Sequence, residues 1–194
     1  LSSVHFAYLR GRSTSDCLVY MLDRIQRNMR QNIKTHCIYF DFSSAFDTVQ
    51  HSILLWKLEH QFFIKGPFLA FMAAFLHDRR SCVKMHGIYS DWLEDKVGVP
   101  QGGALSPLIY ILYVDDLGVL NNIRGLHVAI FSDDLAIWTS SRLPQHAHEA
   151  LQEGIYFTQW FCRLNGLIVN HGKTEYKVFT NRALHDYDIL PFQL

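Results

Sequence analysis

The sequence predicts an α+β domain with the element order βαββαβ, which is typical of a split antiparallel sheet with helices on one face. Three stretches lead to this prediction. An apolar run over 36–40 stops at a charged residue, two alternating strands flank an acidic turn within 126–141, and a long helical pattern covers 144–165. A strand–turn–strand pattern over 168–180 completes the order.

The composition is that of a folded domain with a substantial core. Of the 194 residues, 49% are hydrophobic and 19% are charged, which excludes disordered, collagen-like and low-complexity chains. Lys plus Arg and Asp plus Glu number 18 each, so the chain lacks the basic excess of a nucleic-acid clamp. That balance still allows a site that gathers carboxylates around metal ions. No linker-like stretch divides the chain, so we expect residues 1–194 to form a single domain.

The start of the chain and its cysteines indicate the setting. The first residues contain neither Met nor a signal-peptide pattern, so we interpret the chain as a fragment of a longer protein. No apolar run reaches the ~18 residues of a membrane span. The four cysteines are scattered without a Cys-x-x-Cys pair, which favours a reducing intracellular compartment, the nucleus or the cytoplasm.

The first half of the chain combines helical patterns with one buried strand. The run Ser13-Thr14-Ser15-Asp16 offers N-caps for a helix whose apolar residues recur at helical spacing between positions 18 and 29. The strand 36–40 follows, and then helices are predicted over 51–60 and 67–80.

A hairpin and a loop lie between these helices and the next one. Strand patterns over 81–85 and 88–97 turn at His86-Gly87, and three glycines and two prolines make 98–107 a loop. A single helix is predicted over 106–120.

Acidic residues lie at the ends of predicted strands in two places. Asp41 ends the strand 36–40, and Asp133-Asp134 form the tip of the hairpin within 126–141. If these strands are neighbours, the three carboxylates reach the same edge of the sheet, where their oxygen atoms suit Mg²⁺. An ordinary turn is the alternative, because hairpin turns favour Asp, although usually beside Gly or Asn.

A second acidic pair, Asp115-Asp116, follows an apolar run that is predicted to be helical. Neighbouring residues on a helix point about 100° apart, so these two carboxylates are poorly placed to hold one ion. We interpret the pair as a solvated helix end whose removal changes stability by about half a kcal/mol or less.

Four segments carry a family resemblance: FDFSSAFDTV at 40–49, GVPQGGALSP at 98–107, FSDD at 131–134 and NHGKTE at 170–175. In this order they resemble motifs A, B, C and D of reverse transcriptases, most closely those of non-LTR, Jockey-like retrotransposons. Residues 6–14 resemble the segment that precedes motif A. Each motif alone is weak, but four in this order and spacing are specific. The resemblance implies a polymerase palm with part of the fingers, and implies further fingers strands before this stretch and a primer grip and thumb after it.

The resemblance also implies roles for individual residues. The catalytic metal ions, two Mg²⁺ with Mn²⁺ as an alternative, would be held by Asp41, Asp133, Asp134 and the carbonyl of Phe42. Lys173 would donate a proton to the leaving pyrophosphate. The incoming nucleotide would be lined by Ala45, Phe46, Pro100, Gln101 and Gly102, with Phe46 sensing the ribose. Template and primer would contact Arg10, Arg12, Gln101 and Ser132. Plain surface charge is the alternative for Lys173, Arg10 and Arg12.

The implied activity is RNA-directed DNA polymerisation, in which a primer 3′-hydroxyl attacks the α-phosphate of a dNTP. The implied partners are an RNA template, a DNA primer and dNTPs, with an endonuclease domain in the same full-length chain and no membrane. We expect the isolated fragment to be inactive, because the cations of the fingers and the thumb are missing.

Three alternatives remain. The first is a non-catalytic RNA-binding βαββαβ module that stacks bases on Tyr39, Phe40 and Phe131. The second is an inactive retroelement remnant, against which the intact acidic triad argues. The third is an RNA-directed RNA polymerase, against which the ring of Phe46 argues, since it would clash with a 2′-hydroxyl.

Overall fold

A computed structural model describes residues 1–185 and 188–193. The chain divides into two compact units, Leu1–Ser43 with Val114–Leu194, and Ser44–Tyr113. We call the first the sheet unit and the second the helical unit. Among the described residues, no helix combines the length and the apolar character needed to cross a membrane.

The secondary structure follows the predicted order closely. The elements in chain order are α1 (Thr14–Arg30), β1 (Lys34–Phe40), α2 (His51–His60), α3 (Gly66–Leu76), β2 (Arg80–Ser81), β3 (Lys84–Met85), β4 (Ile88–Tyr89), β5 (Leu93–Glu94), α4 (Ser106–Tyr113), a 3₁₀ helix (Asp115–Asn122), β6 (Leu126–Phe131), β7 (Asp134–Ser141), α5 (Pro144–Asn165) and β8 (Glu175–Phe179). Of the four candidate cap residues at 13–16, Ser13 is the N-cap of α1, and its side chain accepts from the Asp16 amide.

The sheet unit contains a four-stranded antiparallel sheet with the strand order β6-β7-β1-β8. The chain passes through the helical unit between β1 and β6, and through α5 between β7 and β8. The strands β6 and β7 form a hairpin, whereas β1 pairs with both β7 and β8. This order confirms the predicted split βαββαβ sheet.

Helix α5 covers one face of this sheet. Gly154 on α5 packs so closely that an added Cβ would lie 2.9 Å from Ile137 Cδ1 and 3.0 Å from Leu126 Cδ2. Val128 pairs with Ile137 and is fully buried on the same face. The helix ends at residue 165, as predicted, and the Gly166 that follows has a left-handed φ of 65°.

Helix α1 packs against the opposite face. Its Tyr20 and Met21 pack on a buried cluster that includes Cys37, Ala129 and Trp138 from three different strands. Helix α5 therefore covers one face of the sheet, as predicted. Helix α1 precedes the βαββαβ order and covers part of the other face.

The N-terminal segment adds to the outer edge of β6. His5 and Ile130 form a parallel bridge, in which the Phe6 amide donates to the Ile130 carbonyl and the Ile130 amide donates to the Val4 carbonyl, both at 2.9 Å. Val4, His5 and Phe6 are buried. This edge contact extends the sheet beyond its four full strands.

The helical unit packs α2 against α3 and α4. Its buried residues include Leu54 and Leu58 on α2 and Met72 and Leu76 on α3. Helix α3 ends at Leu76, earlier than the predicted residue 80, because the chain turns at Asp78, whose φ is 53°.

The predicted hairpin is present in the helical unit as two short ladders, β2 with β5 and β3 with β4. Met85 pairs with Ile88, so His86-Gly87 is the two-residue loop, as predicted. Both loop residues have positive φ, 49° and 83°, as a type I′ hairpin turn requires.

Two predicted elements are shorter in the structure. The single helix predicted over 106–120 is wrong, because α4 ends at Tyr113 and a separate 3₁₀ helix follows. In the helical unit, Lys57 Nζ donates to the Tyr113 carbonyl at 2.6 Å, which satisfies a backbone acceptor at the end of α4. The first strand predicted within 168–180 is reduced to one antiparallel bridge between Phe42 and Val169.

Candidate active site

The register of the sheet brings Asp41 and Asp134 together. Phe40 pairs with Leu135, so Asp41, the next residue after β1, lies opposite Asp134, the first residue of β7. Phe131 pairs with Asp134, which leaves Ser132 and Asp133 as the two-residue loop of the β6–β7 hairpin. The predicted convergence of the three carboxylates on one sheet edge therefore follows from the observed register.

The three carboxylates at this edge repel one another electrostatically. The pKa of Asp134 is raised above its ordinary value, first by partial burial and then by the negative charges of Asp133 and Asp41. A positive ion at this edge would relieve that repulsion, and carboxylate oxygens are the ligands that hard divalent cations prefer. The chemistry of the donor set therefore fits such an ion.

The side chains themselves do not form a closed cage. Over residues 1–185 and 188–193, no three His, Cys, Asp or Glu side chains converge as ligands of one ion. Closing Asp41, Asp133 and Asp134 around a cation therefore requires side-chain rotation.

The hairpin tip is fixed by a contact that the sequence analysis missed. Ser132 adopts a φ of 59°, unusual for a residue other than glycine, and is 9% exposed. Its hydroxyl lies 3.0 Å from the Tyr8 hydroxyl, at hydrogen-bond distance. The segment that resembles the stretch before motif A thus reaches the tip of the acidic hairpin. The tyrosine in that segment is the only sequence signal for this contact.

The turn that resembles motif D is attached to Asp41. The Asn170 amide donates to the Asp41 carbonyl at 2.8 Å, and the Thr174 hydroxyl donates to the Asn170 carbonyl at 2.9 Å. Lys173 is exposed in this turn, and its amide donates to the Asn170 carbonyl at 3.1 Å. These hydrogen bonds connect the turn that carries Lys173, the predicted proton donor, to the end of β1 at Asp41. The bridge between Phe42 and Val169 holds the same two segments together.

The remaining predicted nucleotide-binding residues lie in the helical unit. The Phe46 ring stacks on Tyr110 with 4.5 Å between centroids and 23° between ring planes. Gln101 Nε2 donates to both carboxylate oxygens of Asp47, at 2.9 and 3.0 Å, a contact that the sequence analysis missed. Ala45 is buried, Gly102 is exposed, and the Pro100 carbonyl accepts from the Ser106 hydroxyl.

The two predicted nucleic-acid-binding arginines differ in their surroundings. The Arg12 guanidinium donates to the carbonyls of Ser3 and His5 and lies over the Phe6 ring, 5.2 Å from its centroid. Arg10 is exposed on the surface of the sheet unit. Of the two, Arg12 has a clear role in holding the N-terminal segment.

The aromatic residues needed for base stacking are not on an open sheet face. Phe40 is 2% exposed, on the face covered by α5. Tyr39 and Phe131 pack against the α1 side of the sheet, where the Tyr39 hydroxyl donates to Met21 Sδ at 3.7 Å. This arrangement disfavours an RNA-binding module that stacks bases on these three rings.

Comparison with protein families identifies the family of this chain. The profile of the family described as reverse transcriptase (RNA-dependent DNA polymerase) matches residues 1–186. The chain belongs to the reverse transcriptase family. Members of this family generally use divalent metal ions, which agrees with the chemistry of the carboxylate edge.

Curated relatives of this reverse transcriptase chain come from insect transposons. It is 31% identical over 188 residues to a probable RNA-directed DNA polymerase from transposon BS of Drosophila melanogaster, covering 92% of this chain and 20% of the relative. It is 31% identical to the RNA-directed DNA polymerase from mobile element jockey of Drosophila funebris, covering 76% of this chain and 16% of the relative. The chain thus spans at most about a fifth of the length of these relatives.

Solved structures support the fold of this reverse transcriptase chain. Telomerase from Candida albicans, in complex with the TWJ fragment of telomeric RNA, matches with a TM-score of 0.67 and 16% identity. The match covers 97% of this chain and 33% of that structure. The shared architecture agrees with the predicted polymerase-type α+β fold.

The contacts of Asp115 in this reverse transcriptase chain differ from those predicted from the sequence. The pair Asp115-Asp116 was expected to be a solvated helix end, and this is wrong for Asp115. Its Oδ1 accepts from the Ser2 amide at 2.7 Å and lies 3.2 Å from Nε2 of the buried His5. Burial acts to raise the Asp115 pKa, but His5 and the Ser2 amide outweigh it and hold the pKa below its ordinary value. This contact between chain segments carries no local sequence signal.

We therefore expect Asp115→Asn to lower the free energy of unfolding by about 1–2 kcal/mol, more than the half kcal/mol predicted from the sequence. The contribution is present above the ordinary pKa of an aspartate and is lost as the pH falls through the lowered pKa of Asp115. Urea unfolding at pH 7 measures the change. The control is Asp23→Asn, which breaks an exposed i,i+4 pair with Arg27 and should cost about 0.5 kcal/mol or less. Equal losses for both variants would contradict the prediction.

The loop that resembles motif B depends on Gly98. Its φ is 84°, and a Cβ at this position would lie 2.8 Å from the Asp47 carbonyl oxygen. We expect Gly98→Ala to lower the free energy of unfolding by about 2–4 kcal/mol, because backbone strain and the clash add. Gly102 has the same φ of 84° but open space around the position that a Cβ would take, with nothing within 4 Å. Gly102→Ala is therefore the matched control and should cost about 1 kcal/mol. Thermal and urea unfolding of the two variants isolate the clash, and similar losses would refute it.

Proposed function

We propose that the chain is the catalytic core of an RNA-directed DNA polymerase that serves retrotransposition. The observation that carries this proposal is the meeting of Asp41, Asp133 and Asp134 at one sheet edge in a member of the reverse transcriptase family. The reaction is nucleotidyl transfer, in which the primer 3′-hydroxyl displaces pyrophosphate from a dNTP. Catalysis of this kind depends on positioning and on neutralising negative charge.

In this proposal the three aspartates, with the Phe42 carbonyl, hold two Mg²⁺ ions, with Mn²⁺ as a substitute. Such ions activate the attacking hydroxyl and stabilise the leaving pyrophosphate. The protein fixes the backbone that carries the ligands through the β1–β7 register and through the hydrogen bond from the Asn170 amide to the Asp41 carbonyl. Lys173, on the same turn, donates a proton to pyrophosphate.

Nucleotide selection is assigned to the helical unit. Ala45, Phe46, Pro100, Gln101 and Gly102 line the incoming nucleotide. The stacking of Phe46 on Tyr110 supports a fixed ring that excludes a ribose 2′-hydroxyl. Gln101 Nε2 donates to Asp47, so Asp47 restrains the side chain that this proposal assigns to the nucleotide and the template base.

The proposed partners are an RNA template, a DNA primer and dNTPs. Arg10 and Ser132 are assigned to nucleic-acid contact in this proposal, whereas a phosphate at Arg12 would compete with the carbonyls of Ser3 and His5. The names of the relatives describe RNA-directed DNA polymerases, and the telomerase match was solved with RNA. The same proposal assigns this chain to the palm and part of the fingers of a polymerase that works inside the cell. It also assigns an endonuclease domain to another part of the full-length chain.

Metal binding tests this proposal on the chain itself. We expect Mn²⁺ to bind weakly and to enhance water-proton relaxation, because sites of this type borrow ligands from substrate phosphates. Asp133→Asn should weaken binding severalfold, whereas Asp23→Asn on the exposed surface of α1 should not. Equal Mn²⁺ binding by the wild type and Asp133→Asn would refute the ligand assignment. Little or no primer extension is expected from this chain alone.

A further inference from the structure

A cavity of about 300 Å³ lies between α1 and the sheet, and Asp134 is among the residues that line it. We call it the α1 cavity. The residues that define it here are Cys17 and Met21 on α1, Tyr39 on β1, Ala129 on β6, and Asp134 and Ala136 on β7. It lies entirely within the sheet unit. None of its residues except Asp134 takes part in the proposed reaction.

The cavity results from a pair of small residues in the sheet. Ala129 and Ala136 are directly opposite each other on β6 and β7, on the face that packs against α1. On the same face Trp138 follows on β7 and is fully buried. Two methyl groups beside such a large ring leave a space that α1 spans without filling.

The lining is apolar apart from one end. Cys17 and Met21 contribute polarisable sulfur atoms, which make favourable contacts with aromatic rings. The Tyr39 hydroxyl is already engaged with Met21 Sδ. The carboxylate of Asp134 is the charged group of the lining, and Asp133 and Asp41 add negative charge close to it.

We propose that the α1 cavity binds small molecules composed of one aromatic ring system and one ammonium group. The ring lies over the two alanines beside the sulfur atoms, and the ammonium group meets Asp134. A volume of about 300 Å³ is at the lower end for ligand sites and exceeds the ~150 Å³ that accommodates benzene. The sign of the charge at the rim selects an organic cation over a neutral or anionic molecule.

Occupancy of the cavity also opposes the binding of divalent cations at Asp134, and this second statement rests on the proposed function. An ammonium group beside Asp134 neutralises part of the negative charge that attracts a metal ion, and it repels that ion. Binding of the ligand is therefore expected to weaken Mn²⁺ binding. Binding itself depends only on the cavity and its charge.

The probes are 2-naphthylmethylamine and its neutral analogue 2-naphthylmethanol, titrated at pH 7 by calorimetry or NMR. We expect the amine to bind in the millimolar range or below and about fivefold or more tighter than the alcohol. Asp134→Asn should remove the difference between the two probes. Ala129→Leu and Ala136→Leu, which fill the cavity, should weaken both probes about tenfold or more. Ala183→Leu, which adds the same side chain at an exposed position, should change neither.

A second measurement uses Cys17 as a reporter and needs no substitution in the cavity. Cys37 and Cys162 are buried, so in a Cys82→Ser background Cys17 is the accessible thiol. The amine should slow alkylation of Cys17 by iodoacetamide, with half-protection near its dissociation constant. Unaltered alkylation at saturating amine, or equal binding of amine and alcohol by the wild type, would overturn the proposal. So would unchanged affinity in folded Ala129→Leu and Ala136→Leu.

Mn²⁺ competition separates this proposal from the proposed function. One outcome is that the cavity variants weaken amine binding, while neither the amine nor Asp133→Asn changes the affinity for Mn²⁺. The metal assignment is then wrong and the cavity proposal is retained. The opposite outcome is that Asp133→Asn weakens Mn²⁺ binding, while the cavity variants leave the affinity for the amine unchanged. The cavity proposal is then wrong and the proposed function is retained.

Discussion

Asp134→Asn is expected to abolish primer extension in a polymerase that contains this chain, as are Asp41→Asn and Asp133→Asn. Each change removes a carboxylate from the edge where β1 and β7 meet. Loss of a metal-holding carboxylate forfeits several kcal/mol of transition-state stabilisation, which corresponds to about a thousandfold or more in kcat/KM. Extension of a primed RNA template with dNTPs measures the effect.

The second acidic pair provides the matched control. The double variant Asp115→Asn with Asp116→Asn should keep extension within about tenfold of the wild type, measured at a temperature where both proteins are folded. Asp115 acts in the attachment of the N-terminal segment, so its loss appears in unfolding rather than in kcat/KM. An essential Asp115-Asp116 pair together with a dispensable Asp133 would show that the acidic hairpin is only a turn.

Phe46→Ala and Phe46→Val are expected to raise the ratio of rNTP to dNTP incorporation, measured as kcat/KM, by about tenfold or more. The ring is held by its stack on Tyr110, and the Phe46 carbonyl accepts from the Val99 amide at 2.9 Å. A ring fixed in this way excludes a 2′-oxygen sterically, and its removal opens the space. A discrimination of tenfold corresponds to about 1.4 kcal/mol, a reasonable value for one steric contact.

Core packing is the competing explanation for Phe46, since the ring is half-buried. Phe63, in the same unit and 76% exposed, supplies the control, and Phe63→Ala should leave the ratio unchanged. If Phe46→Ala lowers stability and total activity but leaves the rNTP/dNTP ratio constant, the residue packs the unit and does not select the sugar.

Local sequence patterns predicted most of the elements because their causes are local. Helix α2 begins and ends at the predicted residues, and the run of cap residues at 13–16 and the His86-Gly87 turn were readable from residue type alone. The carboxylate edge was predictable from two strand ends, because the strand order of a βαββαβ sheet makes them neighbours.

The missed features depend on partners far away in sequence. The end of α4 involves Lys57, and the position of Gln101 depends on Asp47. Helical periodicity continues through 114–120 and gives no sign of either contact. The role of Asp115 likewise depends on His5, which the acidic pair taken by itself does not reveal.

The pairing of residues 4–6 with β6 also protects the chain from self-association. An open strand edge presents unpaired amide and carbonyl groups to other molecules. The outer strand β8 carries the charged pair Glu175 and Lys177, which opposes such contacts. Strand β6 has the sequence LHVAIF and contains no acidic residue or lysine that would oppose them. Displacement of residues 4–6 from β6 would uncover this apolar edge, so their pairing with Ile130 protects the sheet from intermolecular strand pairing and aggregation.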